Sequence, residues 1–140
     1  MLKTVRDLCW DDKVHSVGHP ILDEQHKILF NLINSLSHQA SYQHATDDLK
    51  GYNYILAELK KYIEFHLTYE EDLLTKMSYE DVQIHKANHK KFVDEIGAIT
   101  IQDDDRQNKV RLVEFLRKWW EGHVLVEDMK YKETMITVVN

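Results

Sequence analysis

Residues 49–77 read LKGYNYILAELKKYIEFHLTYEEDLLTKM, and their period decides the fold. Leu49, Tyr52, Leu56, Leu59, Ile63, His66, Glu70, Leu73 and Met77 recur at steps of three and four, which line one face of an α-helix. The face is apolar for two thirds of its length. It then presents an imidazole and a carboxylate one turn apart, at His66 and Glu70. A buried polar side chain is expensive unless something satisfies it, so the change in character asks for a reason.

The same period extends outward in both directions. Leu22, His26, Leu29, Ile33 and Leu36 form an earlier stripe, opened by Pro20, whose missing N–H costs nothing at a helix start. Val82, His85, His89, Phe92, Ile96 and Ile99 form a third, for which Ser78 is a candidate cap. Leu112, Leu116, Trp119 and His123 form a fourth. Thr46-Asp47-Asp48 offers a cap before the second helix, and Asp103-Asp104-Asp105 a polar break before the fourth. The expected fold is all-α: an antiparallel up-down-up-down four-helix bundle. It has an irregular N-terminal arm at 1–19, helices at about 20–39, 47–77, 80–100 and 105–127, and an apolar tail at 132–140. Trp10 is the arm's candidate anchor.

This topology gathers the polar members of the stripes. His26, His85 and His89 come early in helices running one way. His66, Glu70 and His123 come late in helices running the other. All are therefore expected at one end of the bundle. Residues four apart on a helix lie about 5–6 Å apart at Cβ, so His66–Glu70 and His85–His89 each aim two metal-capable groups in one direction. A lone histidine on an apolar face is more often a hydrogen-bonded core residue. Five with carboxylates at one end of a bundle suit borderline transition metals, iron and zinc among them. Seven groups exceed the needs of one tetrahedral ion and suffice for two ions sharing carboxylates. After His123, Glu127 is the in-phase acid, while Asp128 needs a local irregularity, since five residues is not an in-phase step at about 3.6 per turn.

Composition narrows the rest. The 140 residues fit one domain, expected to span the whole chain. Cys9, the single cysteine, allows no internal disulfide and has no partner for a redox pair. The net charge of −6 argues against nucleic acid. No apolar run approaches the roughly 18 residues that span a bilayer, and the N-terminus is too charged for a signal peptide. The expected location is the cytoplasm, with no membrane partner.

Asp23-Glu24-Gln25-His26, His66-x3-Glu70 followed by Glu71, His85-x3-His89 and Trp119-x3-His123-x4-Asp128 together resemble the hemerythrin family, from about Trp10 to Tyr131. The resemblance implies a bundle holding two oxygen-bridged non-haem irons that reversibly bind dioxygen. It implies His85, His89 and His123 on one iron, His26 and His66 on the other, and Glu70 and Asp128 bridging. It favours Asp128 over Glu127. Trp119 is expected to cover the site, with Leu67 and Leu29 as further candidates for the O2 pocket and Phe30 beside them. Leu67 stands where the family more often has phenylalanine, a departure that alters pocket size. A shell rich in histidine, with no spare inward acid or tyrosine, suits reversible binding more than oxygen activation.

The expected function is O2 carriage, storage or delivery by a non-enzymatic protein, monomeric if it is a free carrier. The alternative is an O2- or redox-sensing module working through a partner domain, which the apolar end of the chain would suit; a reading frame continuing past Asn140 would favour it. A hydrolase or oxidase lacks an evident extra base, and zinc or manganese remains chemically compatible with the donor set. His15, His19, His38 and His44 are expected to be exposed loop residues.

Overall fold

The computed structural model describes residues 9–41, 48–99 and 106–139. His44, the Thr46-Asp47 half of the candidate cap and Asp103-Asp104-Asp105 lie outside them. In chain order the elements are α1 (Asp12–His15), α2 (Pro20–Ser41), α3 (Asp48–Lys76), α4 (Val82–Gly97), α5 (Arg106–Trp119), a π-helix (Trp120–Glu127), a 3-10 helix (Asp128–Tyr131) and α6 (Lys132–Val139). No strand occurs among the described residues.

Four helical rods, α2, α3, α4 and α5 with its π continuation, form the bundle. α2 packs against α3 and α5, and α3 against α4. α4 meets α5 through the stacked rings of Phe92 and Phe115. At one end, early α3 meets early α5, where the Tyr52 hydroxyl donates to the Lys109 carbonyl at 3.2 Å. At the other, the late turns of α3 meet the early turns of α2 and α4. Neighbours therefore run antiparallel. The stripe residues Leu29, Ile33, Leu36, Leu59, Ile63, Phe92, Ile96, Leu112 and Leu116 form one core. Burying each such side chain contributes roughly 1.5–3 kcal/mol.

Three local features differ from the sequence reading. Ser78 does not cap α4. It ends α3 with a left-handed φ of 56°, while its N–H bonds back to the Thr75 carbonyl and that of Tyr79 to the Leu74 carbonyl. This double closure is the usual way a helix turns off its last carbonyls; α4 is preceded by Asp81, which makes no side-chain cap bond. The second difference is that the fourth rod is not α-helical to its end, since its last eight residues are π-helix. The third is that the tail is helical. α6 folds across the end of the bundle, where Tyr131 and Met135 pack with Val17, Leu22 and Leu74 in a second apolar cluster. Gly18, at φ +81°, crosses α6 so closely that a Cβ there would stand 2.8 Å from Ile136 Cγ1.

Ser16 and Val17, at the end of the arm, are tied down as well. Asp23, in the first turn of α2, accepts from the Val17 N–H at 2.8 Å and the Ser16 hydroxyl at 2.6 Å. No described helix is long and apolar enough to cross a membrane.

Candidate metal centre

Two groups of side chains converge at the end covered by α6. Glu70, His85, His89, His123 and Asp128 form one, and His26, His66, Glu70 and Asp128 the other. Within each group the ligand-capable atoms lie within 4.8 Å of one another. All seven residues are buried. They are the seven that the sequence singled out, now in contact across four rods.

The two shared carboxylates divide their oxygens between the groups. Glu70 Oε1 lies 2.6 Å from His85 Nε2 and 3.2 Å from His89 Nε2. Glu70 Oε2 lies 3.5 Å from both His26 Nε2 and His66 Nε2. Asp128 Oδ1 lies 3.0 Å from His85 Nε2 and 3.1 Å from His123 Nε2, while Oδ2 lies 3.2 Å from His26 Nε2. One oxygen of each carboxylate therefore faces two of the three imidazoles of His85, His89 and His123, while Glu70 Oε2 faces both His26 and His66 and Asp128 Oδ2 faces His26. Glu127 points elsewhere, accepting from Lys130 Nζ at 2.9 Å.

Protein partners alone do not satisfy this cluster. His26 Nε2, His66 Nε2 and both Asp128 oxygens are buried without an aligned hydrogen bond. His89 Nε2 and His123 Nε2 face each other at 2.8 Å, a contact between two lone pairs unless a proton or a cation lies between. Buried polar atoms are nearly always paired. The donor set, imidazole nitrogen and carboxylate oxygen, is what first-row transition ions accept, so the residues fit a pair of such ions.

The electrostatics agree. Burial by itself would lower the pKa of His26, but the neighbouring Asp128 and Glu70 oxygens outweigh it and raise it to about 9. His85 behaves alike and reaches about 10. Burial, helped by the positive charge of His26, lowers His66 to about 3. Burial opposes ionisation of Glu70, yet contacts from His26, His85 and His89 hold it well below the usual carboxylate range. Two anions are thus balanced by two protons, the place that metal charge would take.

A family model described as the hemerythrin HHE cation binding domain matches residues 17–135. The chain belongs to the hemerythrin family. That family is known for dioxygen binding at a non-haem di-iron centre, and the His, Glu and Asp cluster described above is able to hold metal ions. A hemerythrin-like protein of Naegleria gruberi is 36% identical over 124 residues, covering 88% of this chain and 89% of its own length. A myohemerythrin of Theromyzon tessulatum is 32% identical over 88% of this chain and 89% of its own. The bacteriohemerythrin of Clostridium acetobutylicum is 29% identical over 87% and 96%. A wild-type hemerythrin crystal structure superposes with a TM-score of 0.76 at 22% identity, covering 92% of this chain and 98% of that one, which speaks to the fold alone.

Around the hemerythrin-type cluster stands a supporting layer that sequence reasoning reached only partly. His66 Nδ1 donates to Gln25 Oε1 at 2.7 Å, which turns Nε2 inward. Glu71 Oε2 stands 3.6 Å from His89 Nδ1. Gln25 and Glu71 each adjoin a cluster residue, and their signal in the sequence was that adjacency. Tyr131, fully buried, donates its hydroxyl to Glu70 Oε2 at 3.0 Å. It overturns the expectation that no tyrosine points inward, and its three-residue spacing from Asp128 was the available clue.

The two neighbouring tryptophans take different places. Trp119 is only partly buried and stacks flat on His123, with ring centroids 4.9 Å apart at 13°, and on Phe92 at 3.9 Å. Trp120 is the buried one, 6.1 Å from the His26 ring and 5.6 Å from Phe30. Leu29 and Leu67 belong to the same apolar cluster as Trp120. His38 is exposed, but His15 and His19 are partly buried. His15 packs beside Trp10 and Trp120, and His19 Nδ1 accepts from the Leu22 N–H at the start of α2.

Proposed function

We propose that this chain holds two irons and reversibly binds dioxygen, as a binding protein rather than an enzyme. The observation that carries the reading is the split of the two carboxylates: Glu70 turns one oxygen to His85 and His89 and the other to His26 and His66, and Asp128 turns one to His85 and His123 and the other to His26. His85, His89 and His123 would hold one ion, His26 and His66 the other, with both carboxylates shared. The pair supplies, when bound, two one-electron reductants beside a position that a small ligand can occupy.

The protein's own contribution is asymmetry and dryness. Three imidazoles on one side and two on the other leave the His26–His66 side a donor short. Leu29, Leu67 and Trp120 would wall that side with apolar surface, which admits a small neutral molecule and excludes bulk water. Trp119, lying on His123, would shield the opposite side. Gln25 holds His66 in the tautomer that offers Nε2, a kind of support that commonly matters 10- to 100-fold in metal affinity.

Iron titration with His66→Ala tests the assignment. The natural protein is expected to take up two irons per chain and the variant at most one; two irons in the variant would contradict it. A second reading, an O2- or redox-sensing module, draws on α6, because the helix that covers the centre is joined to it through Tyr131, the residue that immediately precedes it. It predicts that protease cleavage within α6 changes when O2 binds. The carrier reading predicts no change.

A further inference from the structure

Tyr131 stands outside the seven clustered His, Glu and Asp side chains, yet its hydroxyl is aimed at one of them, Glu70. Its ring is fixed from several sides: by Val17, Leu22, Leu74 and Met135 in the apolar cluster, and by edge contacts with Tyr79 at 6.1 Å and His85 at 5.7 Å. A phenylalanine would fill the same space, so the hydroxyl calls for its own explanation. An ordinary phenol keeps its proton at neutral pH, and a carboxylate oxygen can only accept, so Tyr131 is the donor in this contact. Its acceptor, Glu70 Oε2, is the oxygen that faces His26 and His66.

We propose that Tyr131 is a positioning residue that sets the redox balance of the centre, by donating a hydrogen bond to the Glu70 oxygen on the two-histidine side. This rests on the reading of Glu70 as a shared metal ligand. A hydrogen bond to an ionised carboxylate is among the stronger ones, and it draws electron density from the oxygen that accepts it. That oxygen then donates less to an ion beside it. A ferric ion depends on such donation more than a ferrous ion, so the bond favours the ferrous state, the state that accepts O2. Because Oε2 faces the histidine pair, the effect falls on the ion there more than on its neighbour. The bond also ties α6 to the centre, since Tyr131 immediately precedes that helix.

The test is redox titration of iron-loaded protein, natural and Tyr131→Phe, with Met135→Leu as a packing control and iron counted in each. Each ferrous ion gives one electron to the electrode through a mediator. Loss of the hydroxyl is expected to shift the balance toward ferric about tenfold, a midpoint about 59 mV lower for a one-electron step. Met135→Leu is expected to leave it unchanged. A Tyr131→Phe midpoint equal to or above the natural one overturns the proposal. A natural protein that takes up no iron pair overturns the di-iron reading on which it rests. If Tyr131→Phe fails to load, the zinc-loaded natural protein decides, being diamagnetic. Its Tyr131 hydroxyl proton is expected as a slowly exchanging downfield resonance, and a freely exchanging hydroxyl overturns the proposal.

Discussion

The backbone N–H of Asp128 donates to the carbonyl oxygen of His123, five residues back. This bond closes the π-helix and explains how Asp128 joins the cluster. At about 3.6 residues per turn, Glu127 would share the face of His123 and Asp128 would rotate well off it. Closing the turn at five residues absorbs one extra residue, a bulge often found at functional sites, and brings Asp128 inward. Asp128 Oδ1 then lies 3.1 Å from His123 Nε2.

Deleting Val126, which is half exposed, should remove the extra residue and return the segment to α-helix with Asp128 out of reach. Asp128→Asn should act at the same point by removing the charge. Both variants are expected to lose at least about 100-fold in affinity for the second ion, the upper range for supporting residues alone. Glu127→Gln should change nothing. Metal titration followed by absorbance checks the set, and a Glu127→Gln defect matching that of Asp128→Asn would reverse the assignment.

Gln25→Leu keeps bulk at a buried position but removes the acceptor for His66 Nδ1. His66 can then turn, or take the tautomer that carries its proton on Nε2. A loss of about 10- to 100-fold in affinity is expected for one ion and little for the other. Stepwise iron titration separates the two, and equal loss at both would contradict the separate roles.

Metal uptake should release protons. In the metal-free protein His26 and His85 are raised to about 9 and 10, so both are protonated at neutral pH, and a metal takes only neutral imidazole. Apparent affinity should therefore rise with pH and flatten above about 9 to 10. The linkage for folding runs the other way. Groups with raised values stabilise the metal-free fold fully below their unfolded value near 6.5, and that contribution is lost as pH rises through about 9 to 10. Proton release on zinc addition in weak buffer, up to two per chain, checks the first statement, and no release would contradict it.

Trp120→Ala should open a cavity beside His26. Removal of a fully buried tryptophan costs about 3–5 kcal/mol, readable as a lower denaturant midpoint. Water admitted to the two-histidine side should also speed oxidation of the iron-loaded protein in air. Trp119→Ala, on the other side and partly exposed, should destabilise less. The reverse order would place the pocket beside Trp119.

Much of this was legible because helices buried on one stripe repeat with a fixed period. Leu22, His26, Leu29, Ile33 and Leu36 could be placed on one face from spacing alone, and antiparallel topology then carried His66 and His123 to the same end. What escaped the sequence lies where that period breaks. The π-helix shifts phase after Trp119, so Trp119 rather than Trp120 read as the inner residue, and Asp128 needed a family resemblance to be preferred over Glu127. α6 read as a tail because a helix of eight residues is held by packing more than by its own propensity. Its contacts with Val17 and Leu74 come from distant parts of the chain. Ser78 has a cap-forming side chain, but its role is set by the left-handed turn it occupies.

The most direct measurement is the optical spectrum of the iron-loaded protein, reduced without oxygen, exposed to air, then degassed. A charge-transfer band that appears with O2 and disappears on degassing, over repeated cycles, is the predicted result. Irreversible conversion to an oxidised form within seconds would contradict reversible binding and leave the sensing reading in its place.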